Sequence, residues 1–292
     1  DVFPYTDEEG YTPAFQSACA ALELAECMVG VEALRMRLLE VGVLERYGPG
    51  CRLVPAEEVL AELRLRKDES ELESMRQAIA IAEAALHSTV RQVRVGMTER
   101  ELAALLTIEM FKSGAEEIPF PPIVVAGPNA ASPHATPSGR PIGPGETIVV
   151  DFGAMVGGYI SDVTRTFAIG ALDSELARVY EVVRAANEAG RAVAGPGVPA
   201  EEVDRAARAV IAGAGYGKYF IHRTGHGLGL EVHEPPYIVA GNRRLLEPGM
   251  TFTVEPGVYL PGRGGVRIED NVLVTADGAE SLTTFPRQFT SL

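Results

Sequence analysis

The chain has 292 residues, of which 26 are Lys or Arg and 40 are Asp or Glu, so its formal net charge is −14. This acidic balance argues against nucleic-acid binding, because such binding needs a basic face that displaces counterions. It also disfavours docking on anionic lipid. Hydrophobic residues make up 46% of the chain and charged residues 23%, which excludes a wholly disordered protein.

The sequence carries no sign of a membrane anchor or a secretory signal. No apolar run approaches the ~18 residues that a membrane-spanning helix requires, and the chain opens with the polar stretch DVFPYTDEEG. The cysteines Cys19, Cys27 and Cys51 have neither zinc-site spacing nor the even number of a disulfide framework. We therefore expect reduced thiols and a cytoplasmic location. Because the chain lacks an initiator Met, we also expect that further sequence precedes Asp1.

Residues 1–66 are predicted to form a small α/β domain, the first of two. Its predicted elements are a strand at Met28–Val31, a helix at Ala33–Leu44, a strand at Cys51–Val54 and a helix at Pro55–Leu63. The charged stretch Arg64–Asp68 predicts a boundary, so the second domain is assigned to residues 67–292.

The second domain alternates long helices with hairpin-linked strands, which favours an α+β fold over a parallel α/β sheet. Two capping-box pairs, Ser70 with Glu73 and Thr98 with Glu101, predict the starts of two helices. The remaining predicted elements are strands at Ile123–Val125, Thr147–Phe152 and Tyr159–Phe167, with a turn at Gly157-Gly158, and helices at Ser174–Ala194 and Ala200–Ala214.

Two segments of this domain echo each other, PGETIVVDFG at 144–153 and PGMTFTVEPG at 248–257. Both have a Pro-Gly turn, an apolar run and then a carboxylate, which is Asp151 in the first and Glu255 in the second. Each is followed by another β segment with its own acid, Asp162 or Glu269. We predict two equivalent β halves that each offer two carboxylates to a shared centre. The alternative is a chance similarity of two turns.

Histidines accompany these acids, since His222, His226 and His233 fall in one glycine-rich stretch. A carboxylate inside an apolar strand costs several kcal/mol unless it is paired or binds metal. Carboxylates with imidazole and no thiolate favour Mn²⁺, Fe²⁺ or Co²⁺, although Zn²⁺ also binds such sets. Four acids suit two ions about 3.5–4 Å apart, which activate water and polarise a carbonyl. The predicted chemistry is hydrolysis of an amide or a similar bond.

Four stretches of the sequence resemble the signature motifs of the pita-bread metallopeptidases, a family that includes prolidase, aminopeptidase P, methionine aminopeptidase and creatinase. They are DFGAMVGGYISDVTRTF, HRTGHGLGLEVHEPP, LEPGMTFTVEPGVY and GGVRIEDNVLVT. The resemblance covers about Glu71 to the C-terminus. It implies a catalytic domain with two β halves related by a pseudo-twofold axis and an enzyme that holds two divalent ions, with Mn²⁺ favoured.

The resemblance also implies roles for individual residues. The expected metal ligands are Asp151, Asp162, His226, Glu255 and Glu269, with Asp162 and Glu269 bridging the ions. His134 matches a histidine on the substrate side, and His222 one at the rim of the proline pocket. His233 matches the histidine that contacts the scissile carbonyl. Arg267 matches an arginine that orients ligands, and Glu255 is the expected proton shuttle.

The first 66 residues resemble the end of the N-terminal domain of prolidases and aminopeptidases P, so we expect a partial N-terminal domain and a homodimer. The expected function is hydrolysis of the Xaa-Pro bond in dipeptides, as in prolidase. The alternative is aminopeptidase P activity on longer peptides. A dipeptidase must bind a free proline carboxylate, for which Arg243 and Arg244 are the candidates; otherwise they are solvated loop residues. A non-catalytic peptide-binding protein on the same fold is disfavoured by the intact ligand set.

Overall fold

The computed structural model describes all residues from Asp1 to Leu292, and they divide into two compact units, Asp1–Leu63 and Arg64–Leu292. None of the helices combines the length and the apolar character that crossing a membrane would demand.

The first unit pairs two short parallel strands and surrounds them with helices. Its elements are α1 (Thr12–Ala21), β1 (Met28–Val31), α2 (Leu38–Tyr47), β2 (Arg52–Pro55) and α3 (Glu57–Arg64). Helix α1 was not predicted, and α2 begins later than the predicted Ala33. The reason for the late start is a capping interaction, in which the backbone N–H of Arg37 donates to the Glu40 carboxylate at 2.8 Å.

The second unit contains four helices and twelve strands. The helices are α4 (Glu69–Val90), α5 (Glu99–Lys112), α6 (Ser174–Val193) and α7 (Ala200–Gly213). The strands are β3 (Ile123–Ala126), β4 (Thr147–Phe152), β5 (Met155–Val156), β6 (Tyr159–Ile160), β7 (Val163–Ala168), β8 (Gly225–Gly227), β9 (Glu234–Ile238), β10 (Thr251–Val254), β11 (Gly257–Leu260), β12 (Gly264–Arg267), β13 (Asp270–Val274) and β14 (Ala279–Ser281).

These strands form two antiparallel sheets and two hairpins. One sheet has the order β3-β4-β7 and the other β14-β13-β10-β8-β9, while β5–β6 and β11–β12 form the hairpins. The two echoed sequence segments occupy β4 and β10. In the first half, β4 pairs with β7, the strand that follows Asp162. In the second half, β10 pairs with β13, the strand that follows Glu269. The two halves therefore have the same pairing.

The alternation of side chains along β4 places Ile148, Val150 and Phe152 on one face of its sheet and Asp151 on the other. Ile148, Val150 and Phe152 are buried in a core with residues of α4 and α5, including Leu86 and Leu106. Asp151 has the opposite parity and therefore points away from this core. A second core packs α6 and α7 against β11 and β12, and a third covers β10. Because apolar packing occupies the strand faces that meet the helices, Asp151 lies on the face of its sheet that points away from them.

Two local predictions were wrong. Helix α4 is capped by Asp68 rather than Ser70, because the Asp68 side chain accepts from the backbone N–H of Ser70 and Glu71 at 2.8 and 3.0 Å. The predicted strand Tyr159–Phe167 is interrupted, and Asp162 lies between β6 and β7. Its N–H donates to Asn271 Oδ1 at 3.2 Å, so the backbone leaves its own strand ladder to bond with the other β half.

A buried ion pair joins the two halves near this point. Arg165 of β7 is 1% exposed and donates to Oδ1 of the fully buried Asp270 of β13 at 2.8 Å. Arg165 also donates to the carbonyl of Phe285 at 2.7 Å, which fixes the C-terminal segment. Arg287 contacts the second oxygen of Asp270 at 2.7 Å.

We expect Arg165→Met to lower the free energy of unfolding by about 3–5 kcal/mol, because it leaves buried acceptors without their donor. Urea denaturation followed by far-UV circular dichroism measures this change. Arg263→Met is the matched control, since Arg263 and its partner Asp173 are 46% and 49% exposed, and an exposed pair contributes less than about 1 kcal/mol. Equal stabilities of the two variants would contradict the structural importance of the buried pair.

Candidate metal centre

Both β halves deliver carboxylates to one place. Asp151 stands near the end of β4 and Asp162 just before β7, while Glu255 follows β10 and Glu269 precedes β13. His226 is the central residue of β8, which pairs with β10.

Close backbone packing explains why glycines flank His226. A Cβ atom on Gly225 would lie 1.8 Å from the carbonyl oxygen of Thr253, and one on Gly227 would lie 2.2 Å from that of Pro235. Only glycine therefore permits β8 to lie between its neighbours at this distance. The His226 N–H donates to Thr253 Oγ1 at 3.1 Å, which fixes the strand in place.

The acids and histidines line a cavity of about 480 Å³. It receives all five predicted ligands together with His134, His222, His233 and Arg267. The lining residues are Phe120, Ile123, Pro133, His134, Asp151, Asp162, His222, Arg223, His226, Val232, His233, Glu255, Arg267 and Glu269.

Asp162, His226 and Glu269 form the tightest group in the cavity. One potential ligand atom from each lies within 4.8 Å of the others, and all three residues are buried. His226 Nε2 is 3.2 Å from Glu255 Oε1 and 3.8 Å from Asp162 Oδ2. The other ring nitrogen, Nδ1, is 3.0 Å from the carbonyl oxygen of Gly227, an arrangement that turns Nε2 toward the carboxylates.

Some buried oxygens of this group have no protein partner. Oδ1 of Asp151 and Oδ1 of Asp162 are buried without a hydrogen bond. An unpaired buried carboxylate is costly, so such atoms call for a cation. Burial and neighbouring carboxylates raise the pKa of Asp162 and of Glu269 well above their usual values. Carboxylate oxygens that lie close together and have no hydrogen-bond donor are suitable ligands for divalent metal ions. Together with His226, they form the oxygen-rich ligand set that the sequence predicted.

A hydrogen bond from Arg267 holds the Asp151 carboxylate in position. Arg267 Nη2 donates to Asp151 Oδ2, and Arg267 Nη1 donates to the Tyr259 hydroxyl at 2.8 Å. The same hydroxyl lies 2.9 Å from His222 Nε2. Arg267 thus links a carboxylate on one wall of the cavity to a histidine on another through Tyr259.

The remaining histidines differ in their surroundings. The ring of His233 packs edge-on against that of His226, with centroids 4.0 Å apart. Desolvation and the nearby charges of His226 and Arg223 lower the pKa of His233 to about 4. His134 lines the cavity with an exposed side chain. Both imidazoles are therefore placed where a bound molecule can contact them.

Five residues in or beside the cavity were not predicted as functional from the sequence: Tyr259, Arg223, Phe120, Ile123 and Val232. A signal for Tyr259 existed, because it stands only four residues after Glu255, at the end of the motif LEPGMTFTVEPGVY. Arg223 directly follows His222 in the histidine-rich stretch.

The structure does not bring Arg243 and Arg244 to the cavity. Both are exposed, and neither is among the lining residues. Arg243 is 88% exposed with its Nε 3.9 Å from Glu201 Oε1 on α7. The loop before β10 therefore carries these arginines on the surface, where Glu201 is the charged group that Arg243 meets.

Comparison with known proteins relates this geometry to a family. A model described as metallopeptidase family M24 matches residues 73–276. The chain is 47% identical over 241 residues to the probable dipeptidase PepE of Mycobacterium tuberculosis, covering 82% of this chain and 64% of that protein. The chain thus spans less than two thirds of this relative.

Two solved structures are similar along nearly the whole chain. A prolidase from Thermococcus sibiricus has a TM-score of 0.95 at 38% identity, covering 100% of this chain and 80% of the other. An X-Pro aminopeptidase from Thermotoga maritima has a TM-score of 0.90 at 37% identity, covering 98% and 81%. These similarities confirm the predicted α+β pita-bread fold.

We expect Asp162→Asn to weaken binding of divalent metal by at least about tenfold, because it removes a charged oxygen donor from the centre. Metal content after dialysis, with calorimetric titration of Mn²⁺, measures this loss. Asp173→Asn is the control, since Asp173 is an exposed carboxylate that caps α6 outside the cavity. Wild-type affinity and stoichiometry in Asp162→Asn would remove Asp162 from the metal site.

Proposed function

The chain belongs to metallopeptidase family M24, and from this membership we propose that it is a metal-dependent Xaa-Pro dipeptidase. The observation that carries the proposal is the convergence of four carboxylates and His226 from both β halves in one cavity, with buried oxygens that lack a protein partner. The similarity to a probable dipeptidase and to a prolidase supports the choice of substrate.

We assign the metal ligands to Asp151, Asp162, His226, Glu255 and Glu269, which would hold two divalent ions. Asp162, His226 and Glu269 offer the most closely grouped ligand atoms, and Asp151 and Glu255 would complete the set. The oxygen-rich donor set favours Mn²⁺, with Co²⁺, Zn²⁺ or Fe²⁺ as alternatives. Bound ions supply Lewis acidity and lower the pKa of a bound water to near neutral.

The chain's own residues then position the substrate and move protons. Glu255 offers a carboxylate inside the cavity that accepts a proton from the attacking water and passes it to the leaving nitrogen. His233 stands in the same wall and donates a hydrogen bond to the scissile carbonyl oxygen as negative charge develops there. His134, which lies between β3 and β4 in the other β half, would contact the substrate as well.

The cavity also suits the proline side of the substrate. A pyrrolidine ring is apolar, and Phe120, Ile123 and Val232 provide apolar lining. The scissile nitrogen of an Xaa-Pro bond carries no hydrogen, so the site needs no acceptor for it before bond cleavage. A volume of about 480 Å³ lies in the range of small-molecule sites and accommodates a dipeptide.

Aminopeptidase P activity is the second candidate. The observation that favours it is the similarity to the X-Pro aminopeptidase of Thermotoga maritima, with a TM-score of 0.90. Since the two activities share the bond cleaved, they differ only in whether the substrate ends at proline or continues beyond it.

The deciding experiment compares an Xaa-Pro dipeptide with the matching Xaa-Pro-Xaa tripeptide. We expect Mn²⁺-loaded protein to release the N-terminal residue from the dipeptide with the higher kcat/KM, and a chelator to abolish the reaction. Preference for the tripeptide would assign the protein to the aminopeptidase P activity instead. Hydrolysis of neither substrate, with metal content confirmed, would refute both activities.

We expect His233→Ala to lower kcat by about 10²–10³-fold with metal content unchanged, because it removes a donor to the developing oxyanion. Steady-state kinetics on the dipeptide and elemental analysis of the same preparation test this assignment. His87→Ala serves as the control, since His87 lies on α4 and does not line the cavity. Loss of metal in His233→Ala would place His233 among the ligands.

A further inference from the structure

Two arginines line the cavity, and they differ in their partners. Arg267 is committed to Asp151 and Tyr259. The guanidinium of Arg223 makes no hydrogen bond or ion pair with the rest of the chain and lies over the ring of Tyr237, with Cζ 4.9 Å from the centroid. The cavity therefore contains one cationic side chain whose five N–H donors are not used by the protein.

The backbone on both sides of Arg223 is anchored. The carbonyl of His222 accepts from Arg208 Nη2 at 2.9 Å, and the carbonyl of Arg223 lies 2.7 Å from His222 Nδ1. Thr224 donates its N–H to Ile238 at 3.0 Å and its hydroxyl to Asp204 at 2.7 Å. With its backbone held and its guanidinium lying on an aromatic ring, Arg223 is pre-organised for a planar anionic partner.

Building on the proposed function, we propose that Arg223 binds the free C-terminal carboxylate of the substrate and so selects dipeptides over longer peptides. In an Xaa-Pro dipeptide the carboxylate carbon is two bonds from the scissile nitrogen. The anion must therefore lie within the same cavity as the metal centre. Arg223 is the guanidinium in that cavity that is not committed to Asp151 and Tyr259, and its planar fork matches a carboxylate bidentately.

The charges of the cavity agree with this assignment. The four carboxylates would be balanced by two divalent ions, and Arg267 already pairs with Asp151. The charge of Arg223 is left without a counter-ion from the protein. The carboxylate of a dipeptide that ends at proline supplies that counter-ion. In a longer peptide, a neutral peptide group follows proline and cannot form the charge-assisted hydrogen bond.

The test compares alanyl-proline with alanyl-prolinamide, because the two differ in charge and hardly in size. With metal-loaded wild-type protein we expect a lower KM for the acid. Arg223→Gln should raise the KM for the acid by about 10–100-fold and change that for the amide by less than about threefold. Arg223→Lys should recover part of the affinity, since it keeps the charge but not the fork.

Arg178→Gln is the matched control, because Arg178 also lies over a tyrosine, Tyr216, but on the surface outside the cavity. It should leave both KM values at the wild-type level. Equal losses on acid and amide in Arg223→Gln would show a structural role and overturn the proposal. A selective loss on the acid in Arg243→Gln, with Arg223→Gln unaffected, would transfer carboxylate binding to the surface loop.

A binding measurement separates this proposal from the proposed function. Calorimetric titration with L-proline and L-prolinamide requires no turnover. If wild-type protein hydrolyses neither dipeptide nor tripeptide, the proposed function fails. Tighter binding of proline than of prolinamide, lost in Arg223→Gln, would still support Arg223 as the carboxylate site. Equal binding of the two in wild-type protein would refute it.

Discussion

The structure depends on the burial of four like-charged side chains around one small space. Asp151, Asp162, Glu255 and Glu269 repel each other and are largely cut off from water, so each needs a compensating contact. The protein supplies part of this compensation through Arg267 and His226. Its helices pack on the strand faces opposite Asp151, which leaves this carboxylate directed toward the cavity. In the proposed function, a divalent cation would provide the compensation that the protein does not.

The same constraint explains the contacts between the two β halves. The Asp162 N–H donates to Asn271 at 3.2 Å, and Thr164 donates its hydroxyl to Glu269 at 2.6 Å. Arg165 and Asp270 add a buried ion pair across the same boundary. Each half thus contributes groups that orient the acids of the other. Neither half could hold the carboxylates in this arrangement alone.

The sequence predicted the parts of the site that depend on local patterns. The carboxylate that follows the apolar run of the first echoed segment indicated Asp151, and the repeated Pro-Gly motif related it to Glu255. The interruption at Asp162 was not predictable from local sequence, because it results from bonds to Asn271, which is 109 residues away. The position of Arg223 was missed for a similar reason. A long side chain next to a glycine-rich stretch reaches a cavity only after strands distant in sequence have assembled.

Because the proposed ligands come from both halves, a bound cation would also act as a cross-link between them. Any ligand that binds only the folded state adds stability that grows with its concentration, about 2.7 kcal/mol at one hundred times the dissociation constant. The free energy of unfolding of this unit would therefore rise with the concentration of free metal ion. Removal of that ion would weaken the contacts between the two halves before it affects the apolar cores that pack against the helices. The proposed metal centre would then stabilise the fold as well as support catalysis.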